Sequence, residues 1–144
     1  MEVGLSSVVA PPRAWLEAHK IRITEQRLRI AELLLVGEQH VSADALVRRL
    51  ASRGEGIARA TVYNTLNLFA DEGLVRRVFV DRERVYFDTR VAPHAHFYNV
   101  DTGELTDIAP GGLRCWRLAD LPAGTSELDI DIVVRLQNAR SGRS

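Results

Sequence analysis

Two imidazoles one residue apart, His94 and His96, are followed by an Asp101-Thr102-Gly103 turn and then by a carboxylate, Asp107. Side chains at i and i+2 of a β-strand share one face, so both rings point the same way. A hairpin at the turn would return a second strand beside them, and Asp107 with it. Two further candidates lie upstream: His40, expected in the turn before a helix, and Asp88, expected at the end of a strand. Taken together, His40, Asp88, His94, His96 and Asp107 form a nitrogen and oxygen donor set without thiolate. Such a set suits iron(II), manganese or zinc and argues against copper(I) or an iron–sulfur cluster. A lone His-x-His pair on a strand is more often a surface or interface pair than a ligand pair, so the case rests on the five residues converging.

Whether Asp107 reaches the histidines depends on hairpin register. With Asp101 and Thr102 as a two-residue loop, Val100 faces Gly103, and counting outward sets Asp107 opposite His96 on the same face. A three-residue loop with Gly103 as a left-handed bulge residue would set Asp107 opposite Phe97, on the wrong face.

The elements that must position these residues read in two lobes. Pro11 and Pro12 open a short helix through Trp15, Leu16 and Ala18, where proline is tolerated because the first N–H groups have no partner. Thr24 can cap a second helix carrying Leu28, Ala31, Leu34 and Leu35, and Ser42 a third running to Gly54. A fourth covers about 59–72 and stops at Gly73. Its Val62, Leu66 and Phe69, at i, i+4 and i+7, make a buried stripe that leaves Tyr63, Asn64 and Asn67 outward. Then the period changes: 74–80 and 85–88 are β-rich runs around the charged turn 81–84. Helices followed by a two-stranded ribbon is the winged helix-turn-helix order, in which the last helix enters the major groove of DNA. Arg59, Thr61, Tyr63, Asn64 and Asn67 are the expected reading residues. Beyond 89–93, read as a hinge, come strands over 94–100 and 104–108 and a final β-rich run over 128–136. The fold class expected is α+β, with a winged-helix domain over 1–88 and a small α/β dimerisation and metal-sensing domain over 94–144. A lobe of that size has little core of its own, and pairing with a second copy would complete it.

Composition sets bounds. With 46% apolar residues in 144, the chain can bury one ordinary core or two small ones. No run is long enough to span a membrane and no secretory leader is visible, so a cytoplasmic protein without a membrane partner is expected. The single cysteine, Cys115, excludes an internal disulfide and a Cys-x-x-Cys zinc clasp and reads as a buried filler. Formal net charge is zero, but through residue 90 there are 14 Lys+Arg against 12 Asp+Glu, and 5 against 7 beyond it. DNA binding would therefore rest on local clusters such as Arg22, Arg27 and Arg29, or Arg76 and Arg77.

Thr24-x-x-Arg27, Gln39-His40-Val41-Ser42-Ala43, Ala60-Thr61-Val62-Tyr63-Asn64-Thr65-Leu66, Gly73-Leu74-Val75, Tyr86-Phe87-Asp88 and His94-x-His96, in that order, resemble the ferric uptake regulator superfamily over nearly the whole chain. The resemblance implies a winged helix joined by a hinge to a dimerisation lobe, with His40, Asp88, His94, His96 and Asp107 as the hinge metal site. It also places Arg22 where the family uses a basic residue near the minor groove. Two aspartates among the ligands resemble the peroxide-sensing branch. The missing cysteines and the stretch from Leu121 resemble the iron response regulator branch.

Several positions depart from the family pattern. Asn99 and Thr102 stand where many members have Cys-x-x-Cys, so no structural zinc is expected; Pro93 and Ala95 stand where many have His and Asp of a second metal site. Asn64 replaces the usual basic residue after the tyrosine.

The expected function is a metal-dependent DNA-binding regulator, a repressor of iron-homeostasis or peroxide-stress genes. Its expected partners are a double-stranded DNA operator and a second copy of the chain. One Fe2+ or Mn2+ per subunit is expected in the cell, with Zn2+ able to substitute in vitro. Two rivals stand beside this: a haem-responsive regulator using the histidines, and a non-haem iron enzyme with a two-histidine, one-carboxylate triad. The second would leave a DNA-reading lobe without a purpose.

Overall fold

A computed structural model describes residues 11–92, 94–113, 120–126, 128 and 130–140. Pro93, Cys115 and Asp129 lie outside the described residues, and with them the reading of Cys115 as a core filler. The chain divides into two compact units, Met1–Val91 and Ala92–Ser144. No helix among the described residues is long and apolar enough to cross a membrane.

In the first unit, α1 (Pro12–Ala18) carries proline in its first turn and buries Leu16. For α2 (Glu25–Leu34), the Thr24 hydroxyl accepts the Arg27 N–H at 3.2 Å. For α3 (Ala43–Ser52), the Ser42 hydroxyl accepts the Ala45 N–H at 3.2 Å. Both expected caps are present, each satisfying a backbone donor that helix geometry leaves unpaired. The fourth helix, α4 (Arg59–Asp71), ends in a Schellman turn: Gly73 takes φ +82°, its N–H reaches Ala70 O at 3.1 Å, and the Leu74 N–H reaches Phe69 O at 2.8 Å. Val62, Leu66 and Phe69 are fully buried, as their spacing requires. They join Leu16, Ile30, Leu34, Leu46 and Leu50 in one core.

After α4 the chain forms a hairpin of β2 (Arg76–Phe79) and β3 (Val85–Asp88). Its turn is held by Asp81 Oδ1, which accepts the N–H groups of Glu83 and Arg84 at 2.8 Å each. The sheet has three strands, not the two of the expected ribbon. A two-residue strand, β1 (His40–Val41), pairs antiparallel with β3 in the order β1-β3-β2, with His40 opposite Asp88. Two residues show no periodicity, which is why His40 reads from sequence as part of a turn.

The second unit holds β4 (Ala95–Asn99), β5 (Leu105–Asp107) and β6 (Ile132–Leu136) in the order β5-β4-β6. β6 runs parallel to β4, Ala95 opposite Ile132. It begins later than the β-rich run suggests, and Leu128 is 99% exposed. In the β4–β5 hairpin His96 stands opposite Asp107 and Tyr98 opposite Leu105.

The loop of that hairpin is neither of the two expected forms. The Asn99 N–H donates to Glu104 O at 2.9 Å and the Gly103 N–H to Asn99 O at 2.8 Å, leaving Val100 to Gly103 as a four-residue loop. Gly103 is left-handed, φ +74°, as in the bulged alternative, yet Asp107 falls on the face that the two-residue loop would give. Loops of two and four residues about the same centre have the same parity, and parity alone decides the face. Asn99 builds the loop, its Oδ1 accepting the N–H groups of Asp101 and Thr102 at 2.9 and 3.1 Å.

Candidate metal centre and nucleic-acid interface

Four of the five donor residues sit on strands, and His94 lies immediately before β4. In the first unit, antiparallel pairing of β1 with β3 sets His40 Nε2 3.0 Å from Asp88 Oδ2. The other carboxylate oxygen of Asp88 accepts the Arg90 N–H at 2.8 Å, and the residue is 1% exposed. A carboxylate so fixed presents one oxygen in a set direction.

In the second unit His94 Nε2 lies 2.9 Å and His96 Nε2 3.3 Å from the same oxygen, Asp107 Oδ1, with the two rings 4.3 Å apart. The Nδ1 of His94 lies 2.6 Å from the Ala92 carbonyl. A carbonyl only accepts, so Nδ1 carries the proton and donates, leaving the Nε2 lone pair as the ligand. Two ligands about 2.1 Å from one ion at right angles are roughly 3.0 Å apart. The 2.9, 3.0 and 3.3 Å contacts match such edges. Imidazole nitrogens and carboxylate oxygens are donors that divalent ions take. The residues therefore fit a divalent metal.

Helix α4 presents Tyr63 and Asn64 outward, with Tyr63 39% exposed, and Thr61 half-buried. A groove of about 480 Å³ lies on one side of it, lined by Asp44, Arg59, Tyr63 and Arg84 among others. Another of about 490 Å³ lies on the α2 side, lined by Arg27, Thr61 and Asn64 among others. Arg59 Nε is 2.6 Å from Asp44 Oδ1. Arg22 is exposed, and its carbonyl accepts a hydrogen bond from Arg27 at 2.7 Å. Asn67 is half-buried: its Oδ1 accepts Arg77 Nε at 2.9 Å and its carbonyl accepts Arg77 at 3.1 Å. Arg77 also reaches Asp71 at 2.7 Å, so this arginine fastens β2 to α4.

The profile of the ferric uptake regulator family matches residues 18–116, which span most of the first unit, the first part of the second and every donor residue. The chain belongs to the ferric uptake regulator family. The ferric uptake regulation protein of Shigella flexneri is 38% identical over 96 residues, covering 65% of this chain and 65% of that relative. That of Vibrio anguillarum is 36% identical over 91 residues, covering 62% and 61%. The matched span is thus under two thirds of these relatives' own lengths. Among solved structures, the ferric uptake regulator from Pseudomonas aeruginosa with manganese superposes with a TM-score of 0.64 at 27% identity, covering 86% of this chain and 96% of that one. The Vibrio cholerae ferric uptake regulator has a TM-score of 0.68 at 24% identity over 88% and 98% of the two chains, which shows the shared fold.

This ferric uptake regulator family member also has positioning residues that sequence reasoning missed. Gln39 and Thr89, fifty residues apart, exchange hydrogen bonds: the Gln39 N–H donates to Thr89 Oγ1 at 3.0 Å, and the Thr89 N–H donates to Gln39 O at 3.1 Å. The Gln39 amide donates to Leu33 O and Leu34 O at 2.8 and 3.0 Å and accepts from Arg49 at 2.9 Å. It thereby ties the end of α2, the body of α3 and the β1–β3 pair together beside His40. The motif Gln39-His40-Val41-Ser42-Ala43 includes this glutamine, but no local periodicity shows the distant residues it binds.

Proposed function

We propose that the protein is a metal-dependent DNA-binding transcriptional regulator, a repressor of iron-homeostasis or peroxide-stress genes, and not an enzyme. In this reading His40 and Asp88 join His94, His96 and Asp107 to hold one divalent ion per subunit. The observation that carries it is the convergence of His94 and His96 on Asp107 Oδ1, with a carbonyl fixing the His94 tautomer. Five nitrogen and oxygen donors favour Fe2+ or Mn2+ over the four-coordinate preference of zinc, which remains able to bind in vitro. The Pseudomonas aeruginosa relative, solved with manganese, supports the choice.

The ion supplies a fixed charge that joins the two donor groups; the rest is done by the chain. Without it the units sample several orientations, and binding favours the orientation in which all five ligands meet, by the difference in affinity. Asp88 and His94 are already oriented by Arg90 and Ala92 and lose little freedom on binding. In a homodimer this orientation spaces two α4 helices for a two-fold operator, with Arg22, Arg59, Thr61, Tyr63, Asn64 and Asn67 as the contact residues.

No structural zinc is needed. The loop where many relatives carry Cys-x-x-Cys is closed by Asn99, which also donates to Asn138 Oδ1 at 2.8 Å, while the Asn138 N–H donates to Asp101 Oδ2 at 2.7 Å. A cytoplasmic location follows from this function.

The test is to measure metal content of the purified protein, select duplexes from a random pool with manganese-loaded protein, and remeasure binding with chelator. Enrichment of a two-fold-symmetric sequence that chelation releases is expected. Selection and affinity unchanged by chelation would contradict the reading.

A further inference from the structure

We infer that Asp44 is an electrostatic brake on DNA binding, holding the Arg59 guanidinium that a backbone phosphate takes in the complex. The inference rests on the DNA-binding function proposed above. Arg59 is the first residue of α4, where the positive end of the helix dipole disfavours a cation. That turn contains no acidic residue, and Ala58 supplies no side-chain cap. The charge is met from a different helix: Asp44, in the first turn of α3, lies 2.6 Å from Arg59 Nε. The hydrogen bond from Arg59 holds the Asp44 carboxyl below its usual range, and the same contact holds Arg59 above its own.

Both side chains remain mostly open to water, 66% for Arg59 and 55% for Asp44. An ion pair so exposed contributes little to folding and is open to competition by an outside anion. It lies in the groove beside α4 that Tyr63 also lines, on the side of the helix turned outward. Proteins gain affinity for duplex DNA by setting Lys and Arg against phosphates and releasing counterions. Here the formal net charge is zero, and other arginines of the unit are also met by carboxylates: Arg29 by Glu25, Arg77 by Asp71, Arg84 by Asp81. Arg59 differs from these in standing at the start of the reading helix while its acid stands on another helix. A duplex that seats a phosphate at Arg59 displaces Asp44. One that leaves the pair intact finds the Arg59 charge already neutralised and gains no phosphate contact there, so the pair lowers non-specific affinity.

The experiment is titration of a mixed-sequence DNA duplex with the full manganese-loaded protein at several salt concentrations, for wild type, Asp44→Asn, Arg59→Gln and the double variant. Asp44→Asn should tighten binding roughly two- to fivefold and steepen the log–log salt slope by up to about one. Arg59→Gln should weaken binding and flatten the slope, and in its background Asp44→Asn should change little. Weaker binding by Asp44→Asn would show that Asp44 positions Arg59, and equal tightening in both backgrounds would show a general charge effect; either overturns the brake alone. No duplex binding by the wild type at low salt would remove the DNA-binding function, and the brake with it.

Discussion

The two groups of donor residues are built in different ways. His94, His96 and Asp107 come from one hairpin, with His94 and Asp107 thirteen positions apart, and their meeting depends on one loop of the right parity. His40 and Asp88 meet because a two-residue strand pairs with the end of β3 across most of the first unit, braced by Gln39 and Thr89 fifty residues apart. The first group is a consequence of local chain geometry. The second is a consequence of tertiary packing, and its integrity is tied to that of the helical core around it.

The sharpest way to break this contrast is to change loop parity. Inserting one glycine after Asp101 should turn Asp107 to the opposite face of β5 and lower manganese affinity by at least about a hundredfold, since the loss of a direct ligand exceeds the 10–100-fold that outer-shell changes cost. Inserting two should restore most of it, as equilibrium dialysis would show. If the single insertion left affinity intact, the hairpin would not be what places Asp107.

A smaller effect is expected from Gln39→Ala. Loss of its bonds to Leu33, Leu34 and Arg49 should loosen β1 and reduce manganese affinity by about 10–100-fold. The variant should keep the first unit folded by circular dichroism, because its backbone bonds to Thr89 remain. Asn99→Ala removes acceptors from two loop N–H groups and a donor to Asn138, and should lower unfolding stability by about 1–3 kcal/mol in urea titration. Its effect on the metal should follow only from weakened hairpin closure. The smallest change is expected for Ser42→Ala, which removes the α3 cap at a cost of about 1 kcal/mol in the same titration.

What the sequence made legible follows the same division. The α4 stripe of Val62, Leu66 and Phe69, the caps Thr24 and Ser42 and the stop at Gly73 are local signals of period, hydrogen bonding and backbone conformation, and each has its counterpart in the fold. The facing of His96 and Asp107 was accessible through parity, although the loop itself was not, because Asn99 makes a four-residue closure that a count of turn residues does not distinguish. β1 was not legible at all: a strand as short as His40–Val41 exists only because β3 is there to receive it. Gln39, Thr89 and the parallel pairing of β6 with β4 depend likewise on residues far along the chain.

Manganese binding by His40→Ala, set beside His96→Ala and wild type, tests most directly whether the two groups act as one centre. The account predicts one tight ion per subunit in the wild type and its loss, by at least about a hundredfold in affinity, in both variants. Full wild-type affinity in His40→Ala, with loss only in His96→Ala, would contradict it and confine the metal to the hairpin.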